Sequence, residues 1–182
     1  MGQVKKTSST IRKVSVVKRA TLQDASSRVA DAQTAYIAKE KAKVIDFMGI
    51  TGKKSASDVN DENYLIEIIR KGIPKKVIDT IMTRTGLTED EMSSVLHVSK
   101  RTIQRRVPQE VLNPEQSERL VELAKLYSRG KEVFGDINIF KEWMDREILT
   151  LGNRKPKEFL DTSIGFNILL DELGRIEHGV YS

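Results

Sequence analysis

Between Pro74 and Pro108 the chain carries three helix starts with only a few residues between them, and this punctuation constrains the fold more than any other feature. Pro74 supplies a preset first-turn φ, and Val77, Ile78, Ile81 and Met82 follow at the i, i+3, i+4 spacing of one helical face. Gly86 stands where a left-handed residue ends such a helix. Thr88 then offers an N-cap oxygen, with Glu91 three residues on to complete a capping box and Leu87 and Met92 at the staple positions. A second helix therefore starts at Glu89. Val98, Ser99 and Ile103 repeat the device, which starts a third helix at Lys100. Two short capped helices joined by the tight turn Leu96-His97-Val98, with a third before them, form the helix-turn-helix pattern, whose last helix enters the DNA major groove.

In that last helix Ile103 and Val107 are expected to face the core, which leaves Lys100, Arg101, Gln104 and Arg105 on the opposite face. Arginine donates two hydrogen bonds to the guanine edge and glutamine pairs with adenine, each worth roughly 1–3 kcal/mol of discrimination. Ser99 and Thr102, near the helix start, are placed to reach phosphates. A merely solvated helix face has the same composition, and it is the capped turn that favours operator double-stranded DNA as partner. Pro108 ends the helix and excludes a long basic-zipper continuation, so recognition falls to a short helix and a homodimer is expected.

Outside this segment, composition mostly excludes. The chain has 182 residues, a formal charge of +5 and no cysteine, so disulfides, thiolate nucleophiles and cysteine-ligated zinc are ruled out. A reducing, cytoplasmic setting is expected. The two histidines, His97 in the turn and His178 near the end, have neither catalytic nor metal-ligand spacing, so no enzyme activity, cofactor or metal is expected. No apolar run is long enough for a signal peptide or a membrane span. From Met1 to Gln23 there is no acidic residue, while Lys5, Lys6, Arg12, Lys13, Lys18 and Arg19 are basic, and this stretch reads as a mobile arm. Leu22, Ala25, Val29, Ala32 and Tyr36 then mark an amphipathic helix reaching Met48. Gly49 to Asn63 has loop chemistry, with a boundary near Lys54. Leu65, Ile66, Ile68 and Ile69 form a short apolar helix ending at Gly72.

Beyond Pro108 the helical punctuation resumes. Asn113, Pro114 and Gln116 place a cap, a first-turn proline and a capping-box acceptor ahead of Leu120, Leu123, Ala124 and Tyr127, in a helix expected to run to about Gly130. Asp136 caps a helix bearing Ile137, Phe140, Trp143 and Met144, with the single tryptophan assigned to the core. Leu149 to Lys155 reads as a loop around Gly152, and Pro156 opens a short helix. Thr162 caps a last helix with Phe166, Leu169, Leu170 and Leu173 on one face and Gly179 closing it. The chain is thus all-α, in three parts: a basic arm and helix over 1–54, a helix-turn-helix domain over 55–112, and a small helical domain over 113–182.

Several runs resemble the Xre/MbcA/ParS antitoxin family: Val133-Phe134-Gly135, Phe140-Lys141-Glu142-Trp143, Lys155 through Thr162, and Leu173-Gly174-Arg175-Ile176-Glu177-His178-Gly179-Val180. So do Leu87-Thr88, Ser99 through Arg106 and Asn113 through Leu120, which extends the resemblance over Tyr64 to Ser182. The ending Gly174 to Val180 is the most specific piece, because periodicity and capping do not account for its residues. The resemblance implies an Xre-like helix-turn-helix and a C-terminal domain that binds a RES-type toxin, an enzyme that attacks NAD or uses it for ADP-ribosylation. It also implies dimers that repress their own operon. The toxin contacts it implies are Leu173, Arg175, Ile176, Glu177, His178 and Gly179, with the tail Val180, Tyr181 and Ser182. Two features depart from the family pattern, a loop before Pro156 with Gly152 as its lone glycine and a basic N-terminal stretch without counterpart. A dimeric helix-turn-helix regulator with no toxin partner is the alternative reading.

Overall fold

The computed structural model describes the backbone of residues 7–50 and 63–179, and the side chains among them from Arg28 onward. Eight α-helices and two 3-10 turns make up the described residues, with two isolated bridges, Pro74 with Val111 and Ile148 with Arg154, in place of any sheet. The all-α expectation holds. The chain divides into two compact units, residues 1–40 and 41–182.

The first unit consists of most of helix α1, Thr7–Met48. The helix starts at Thr7, earlier than the start expected at Leu22. The reason lies in what the stretch lacks: from Gln3 to Met48 there is no glycine or proline to interrupt the hydrogen-bond ladder. Val29 and Tyr36, expected on an apolar stripe, are 66% and 56% exposed. The loop assigned to Gly49–Asn63 lies outside the described residues from 51 to 62.

The second unit begins with the last turns of α1, where Val44, Ile45, Phe47 and Met48 are buried. Helix α2 (Tyr64–Lys71) ends at Gly72, and α3 (Lys76–Thr85) ends at Gly86 in the left-handed conformation, φ +75°. Helix α4 (Glu89–Leu96) starts from a complete Thr88–Glu91 capping box, and α5 (Lys100–Arg105) starts from Ser99, whose hydroxyl accepts the Thr102 N–H at 3.1 Å. Leu87, Met92, Val95, Leu96 and Ile103 are all buried, as the staples require. Val107 is not. It is 59% exposed, because α5 stops at Arg105 and Arg106 is already extended, so the helical period that would turn Val107 inward does not reach it. Pro108 steers the residue before it, Val107, out of the helical region, so the helix could not have been carried through Val107.

From Pro108 the chain runs back along α3's entry. The Leu112 N–H donates to the Ile73 carbonyl at 2.9 Å, and the buried Ile73 N–H donates to Ser117 Oγ at 3.0 Å. This return delivers the chain to α6 (Pro114–Phe134), the central helix, which packs against α2, α3, α4, α7 (Ile137–Met144) and α8 (Ser163–Glu177). Leu120, Val121, Leu123, Ala124, Leu126 and Tyr127 are buried in near succession, the signature of a helix surrounded on most sides. Two expectations for α6 are corrected. Gln116 does not close a capping box, because its side-chain carbonyl instead accepts Arg106 Nη1 at 2.9 Å. The helix does not end near Gly130 but at Phe134, and Gly130 is buried against the Phe140 ring, where a Cβ would come within 2.5 Å of three ring atoms. Phe140 stands edge-on to Tyr127 and stacks on Trp143, both within an aromatic cluster that includes Phe134. A 3-10 turn at Pro156–Phe159 leads to α8, capped by Thr162, with Phe166, Leu169 and Leu173 buried and Leu170 half-buried.

Candidate functional site

The helix-turn-helix is α4, the turn His97–Val98, and α5. The turn needs a left-handed residue, and His97 supplies it at φ +52°, with its N–H donating back to the Ser94 carbonyl at 3.3 Å. Non-glycine residues adopt this conformation uncommonly, histidine more often than most. The ring adds a tie of its own: His97 Nε2–H donates to the Asp161 carbonyl at 2.7 Å. On α5, Ile103 is buried and Lys100, Arg101, Gln104 and Arg105 are exposed together. Ser99 and Thr102 engage one another, Oγ to Oγ1 at 2.8 Å.

These side chains are not equally free. The first turn of α4 carries Glu89, Asp90 and Glu91, an acidic start that complements the helix dipole. The turn angle brings that start beside α5. Lys100 Nζ lies 3.2 Å from Asp90 Oδ2 and 3.8 Å from Glu89 Oε2, and Gln104 Nε2 donates to Glu89 Oε2 at 2.8 Å. Arg101 and Arg105 have no hydrogen bond or ion pair among the described residues. Any anion approaching α5 therefore meets two unengaged guanidinium groups first, and an ammonium and an amide that must exchange carboxylate partners.

A second meeting point joins this segment to the C-terminal helices. Lys157 Nζ sits 2.8 Å from Asp145 Oδ1 and 3.3 Å from Glu91 Oε1, the same carboxylate group that closes the α4 capping box. Burial works against the Lys157 charge, but the hydrogen bonds and charges of Asp145 and Glu91 outweigh it and hold its pKa above the usual lysine value. Lys157, Glu91 and Asp145 line a cleft of about 400 Å³ together with Ser94, Val95 and Asp161. Sequence reasoning did not find this bridge, since its members are far apart in the chain.

At the far end of the C-terminal helices, α8 divides into an anchored and a presented set. Leu173, which the resemblance places in the contact set, is fully buried and packs the core. Glu172 is buried too, accepting Thr150 Oγ1 at 2.7 Å and pairing with Arg175. Glu177 pairs with Arg129 of α6. Arg175, Glu177, His178 and Gly179 are exposed, Ile176 is half-buried, and Gly179 turns the chain out of the helix at φ +66° with its N–H on the Ile176 carbonyl at 3.1 Å. Val180, Tyr181 and Ser182 lie outside the described residues. Among the described residues no cluster of acidic and histidine side chains has the makings of a metal site, and no helix is long and apolar enough to cross a membrane.

Comparison with known proteins matches residues 65–125 to the antitoxin Xre-like helix-turn-helix domain and residues 129–179 to the antitoxin Xre/MbcA/ParS C-terminal toxin-binding domain. A protein of Yersinia enterocolitica serotype O:8 / biotype 1B, named antitoxin Xre, is 31% identical over 120 residues, which cover 65% of this chain and 81% of that protein. The antitoxin Xre of Photorhabdus laumondii subsp. laumondii is 26% identical over 121 residues, covering 65% and 82%. Among solved structures, a chain of the M. tuberculosis MbcT-MbcA toxin-antitoxin complex aligns with a TM-score of 0.44 and 22% identity, over 59% of this chain and 96% of its own length.

Proposed function

The chain belongs to the Xre antitoxin family, and from that premise we propose that it neutralises a cognate RES-type toxin through the end of α8 and represses its own operon through α5. The observation that carries the reading is the partition of α8. A terminal turn whose Leu173 and Glu172 are locked into the core holds Arg175, Ile176, Glu177, His178 and Gly179 on a rigid support, and the tail 180–182 leaves from it. A rigid presenting element lowers the entropy lost on binding. In this reading the toxin is an NAD-consuming or ADP-ribosylating enzyme, and the presented turn and tail obstruct its active site. The chain itself contributes no catalytic step and no cofactor.

Operator binding follows from the exposed face of α5, with Arg101 and Arg105 available for guanine edges or phosphates and Gln104 for adenine. One short recognition helix reads few base pairs, so a homodimer on two half-sites supplies the rest. The reading places both partners in the cytoplasm.

Co-expression with the protein encoded beside it tests the proposal. Growth arrest by that neighbour, relieved by the full chain and restored by Arg175→Ala with His178→Ala, is the expected result. A neighbour that is harmless alone, or relief untouched by those substitutions, overturns the toxin assignment and leaves a regulator without a toxin. Truncation before Asn113 is not a clean test, because α6 packs against α2, α3 and α4 as well as α7 and α8.

A further inference from the structure

The N-terminal basic stretch has no part in the reading so far. It holds six of the 31 basic residues and none of the 26 acidic ones, which leaves 25 basic against 26 acidic residues in everything after Gln23. The positive balance of the chain thus resides entirely in its first 23 residues. The helix-turn-helix, meanwhile, spends part of its own charge internally. Lys100 and Gln104 are engaged by Glu89 and Asp90, and these carboxylates occupy the start of α4, the helix that crosses the phosphate backbone in this motif. Sequence-independent affinity for DNA comes from cations that displace the counterions condensed on phosphates. A motif with carboxylates at its backbone-crossing helix lacks much of that term.

We propose that the basic first half of α1, through Arg12, Lys13, Lys18 and Arg19, is a second DNA-binding element that holds the duplex backbone while α5 reads bases. The inference rests on the operator-binding reading and supplies the electrostatic part that α5 does not. Four cations within Arg12–Arg19 are spread over roughly 10 Å of a helix at 1.5 Å per residue, a span across which duplex DNA presents several phosphates. The stretch suits a polyanion in water better than a lipid surface: before Leu22 it holds no leucine and no aromatic residue, the side chains that seat an interfacial helix among acyl chains. No base specificity is assigned to it.

The test compares the full chain with the variant R12Q/K13Q/K18Q/R19Q, in which glutamine keeps a good helix propensity. Helicity by circular dichroism checks that α1 is retained. Binding is measured against a random-sequence duplex and a duplex from upstream of the gene, between about 50 and about 200 mM salt. The slope of log K against log salt should become shallower by about 0.9 for each lost phosphate contact, up to about 3.6 per protomer and about 7.2 per dimer, on both duplexes alike. The preference for upstream over random DNA should be unchanged. An unaltered slope overturns the proposal, as does a variant that loses only binding to phosphatidylserine vesicles, which would make the partner a membrane. Arg101→Ala with Gln104→Ala, run in parallel, separates the two readings. If that pair leaves the sequence preference intact while the four-fold variant flattens the slope, the α5 reading fails and the α1 contact stands. If the full chain binds neither duplex, both fail.

Discussion

Gly130→Ala and Gly174→Ala make the same chemical change inside two helices of one compact unit, and the structure gives them opposite signs. Replacing glycine by alanine in a helix interior gains about 1 kcal/mol from backbone entropy. At Gly174 in α8 a Cβ meets nothing within 4 Å, so that gain should appear nearly whole. At Gly130 in α6 the same Cβ comes to 2.5 Å from three atoms of the Phe140 ring, and the ring would have to retreat by close to 1 Å to reach ordinary contact. It has no room to do so: Phe140 is fully buried, edge-on to Tyr127 with centroids 5.1 Å apart and stacked on Trp143 at 5.7 Å. Overpacking of this kind costs about 1–3 kcal/mol. Set against the helix gain, Gly130→Ala should range from neutral to about 2 kcal/mol destabilising, and should lie about 1–3 kcal/mol below Gly174→Ala. Thermal unfolding followed by far-ultraviolet circular dichroism measures both midpoints. For a chain of this size the pair should differ in Tm by several degrees, about 2–4 °C per kcal/mol. If Gly130→Ala proves as stabilising as Gly174→Ala, the α6–α7 packing is not as described.

Tyr127→Phe removes a buried hydroxyl with no hydrogen-bond partner among the described residues, and should stabilise the fold by up to about 1–2 kcal/mol. Burial first, then the negative charges of Glu91 and Asp145, push the Tyr127 pKa far above its usual value. The neutral phenol therefore contributes fully below about pH 10, where the unfolded chain still holds that proton, and its contribution is lost as pH rises further, so the variant should lose less stability in alkali. A variant that unfolds more readily at neutral pH would show that the hydroxyl has a partner. Arg101→Ala or Gln104→Ala should cost about 1–3 kcal/mol, or about 5- to 150-fold, on operator DNA and much less on random DNA, measured by fluorescence anisotropy. Equal losses on both would assign these side chains to phosphates. Deleting residues 179–182 should weaken neutralisation of the toxin while operator affinity stays within about twofold, a small change on the scale of 1.4 kcal/mol per tenfold. An undiminished complex would remove the tail from the contact.

What the sequence made legible was local. Thr88, Ser99, Asn113, Asp136 and Thr162 each accept a backbone N–H two or three residues on, and their caps could be read because donor and acceptor are fixed by chain spacing alone. The exposed face of α5 was readable for the same reason, as a period counted from Ser99. The remainder depended on neighbours distant in the chain. Gly130 resembles a helix end until Phe140 is seen to occupy the space a side chain would need. Gln116 resembles a capping-box acceptor until Arg106 takes its carbonyl. Val107 kept the helical period on paper, but α5 stops at Arg105, before reaching it. The acidic start of α4 was visible as helix-dipole chemistry, yet its position beside Lys100 and Gln104 follows only from the angle of the His97 turn. Leu173 entered the contact set through resemblance, and its burial assigns it to the core.

The central claim is that the presented turn of α8 silences an NAD-consuming partner. It is tested most directly by incubating the purified neighbouring gene product with NAD and adding this chain in increasing ratio. The account predicts that NAD loss stops near a fixed stoichiometric ratio with the full chain and with Arg101→Ala/Gln104→Ala alike, and continues with Arg175→Ala/His178→Ala. NAD consumption that persists with the full chain, or that the α8 substitutions leave equally suppressed, would contradict it.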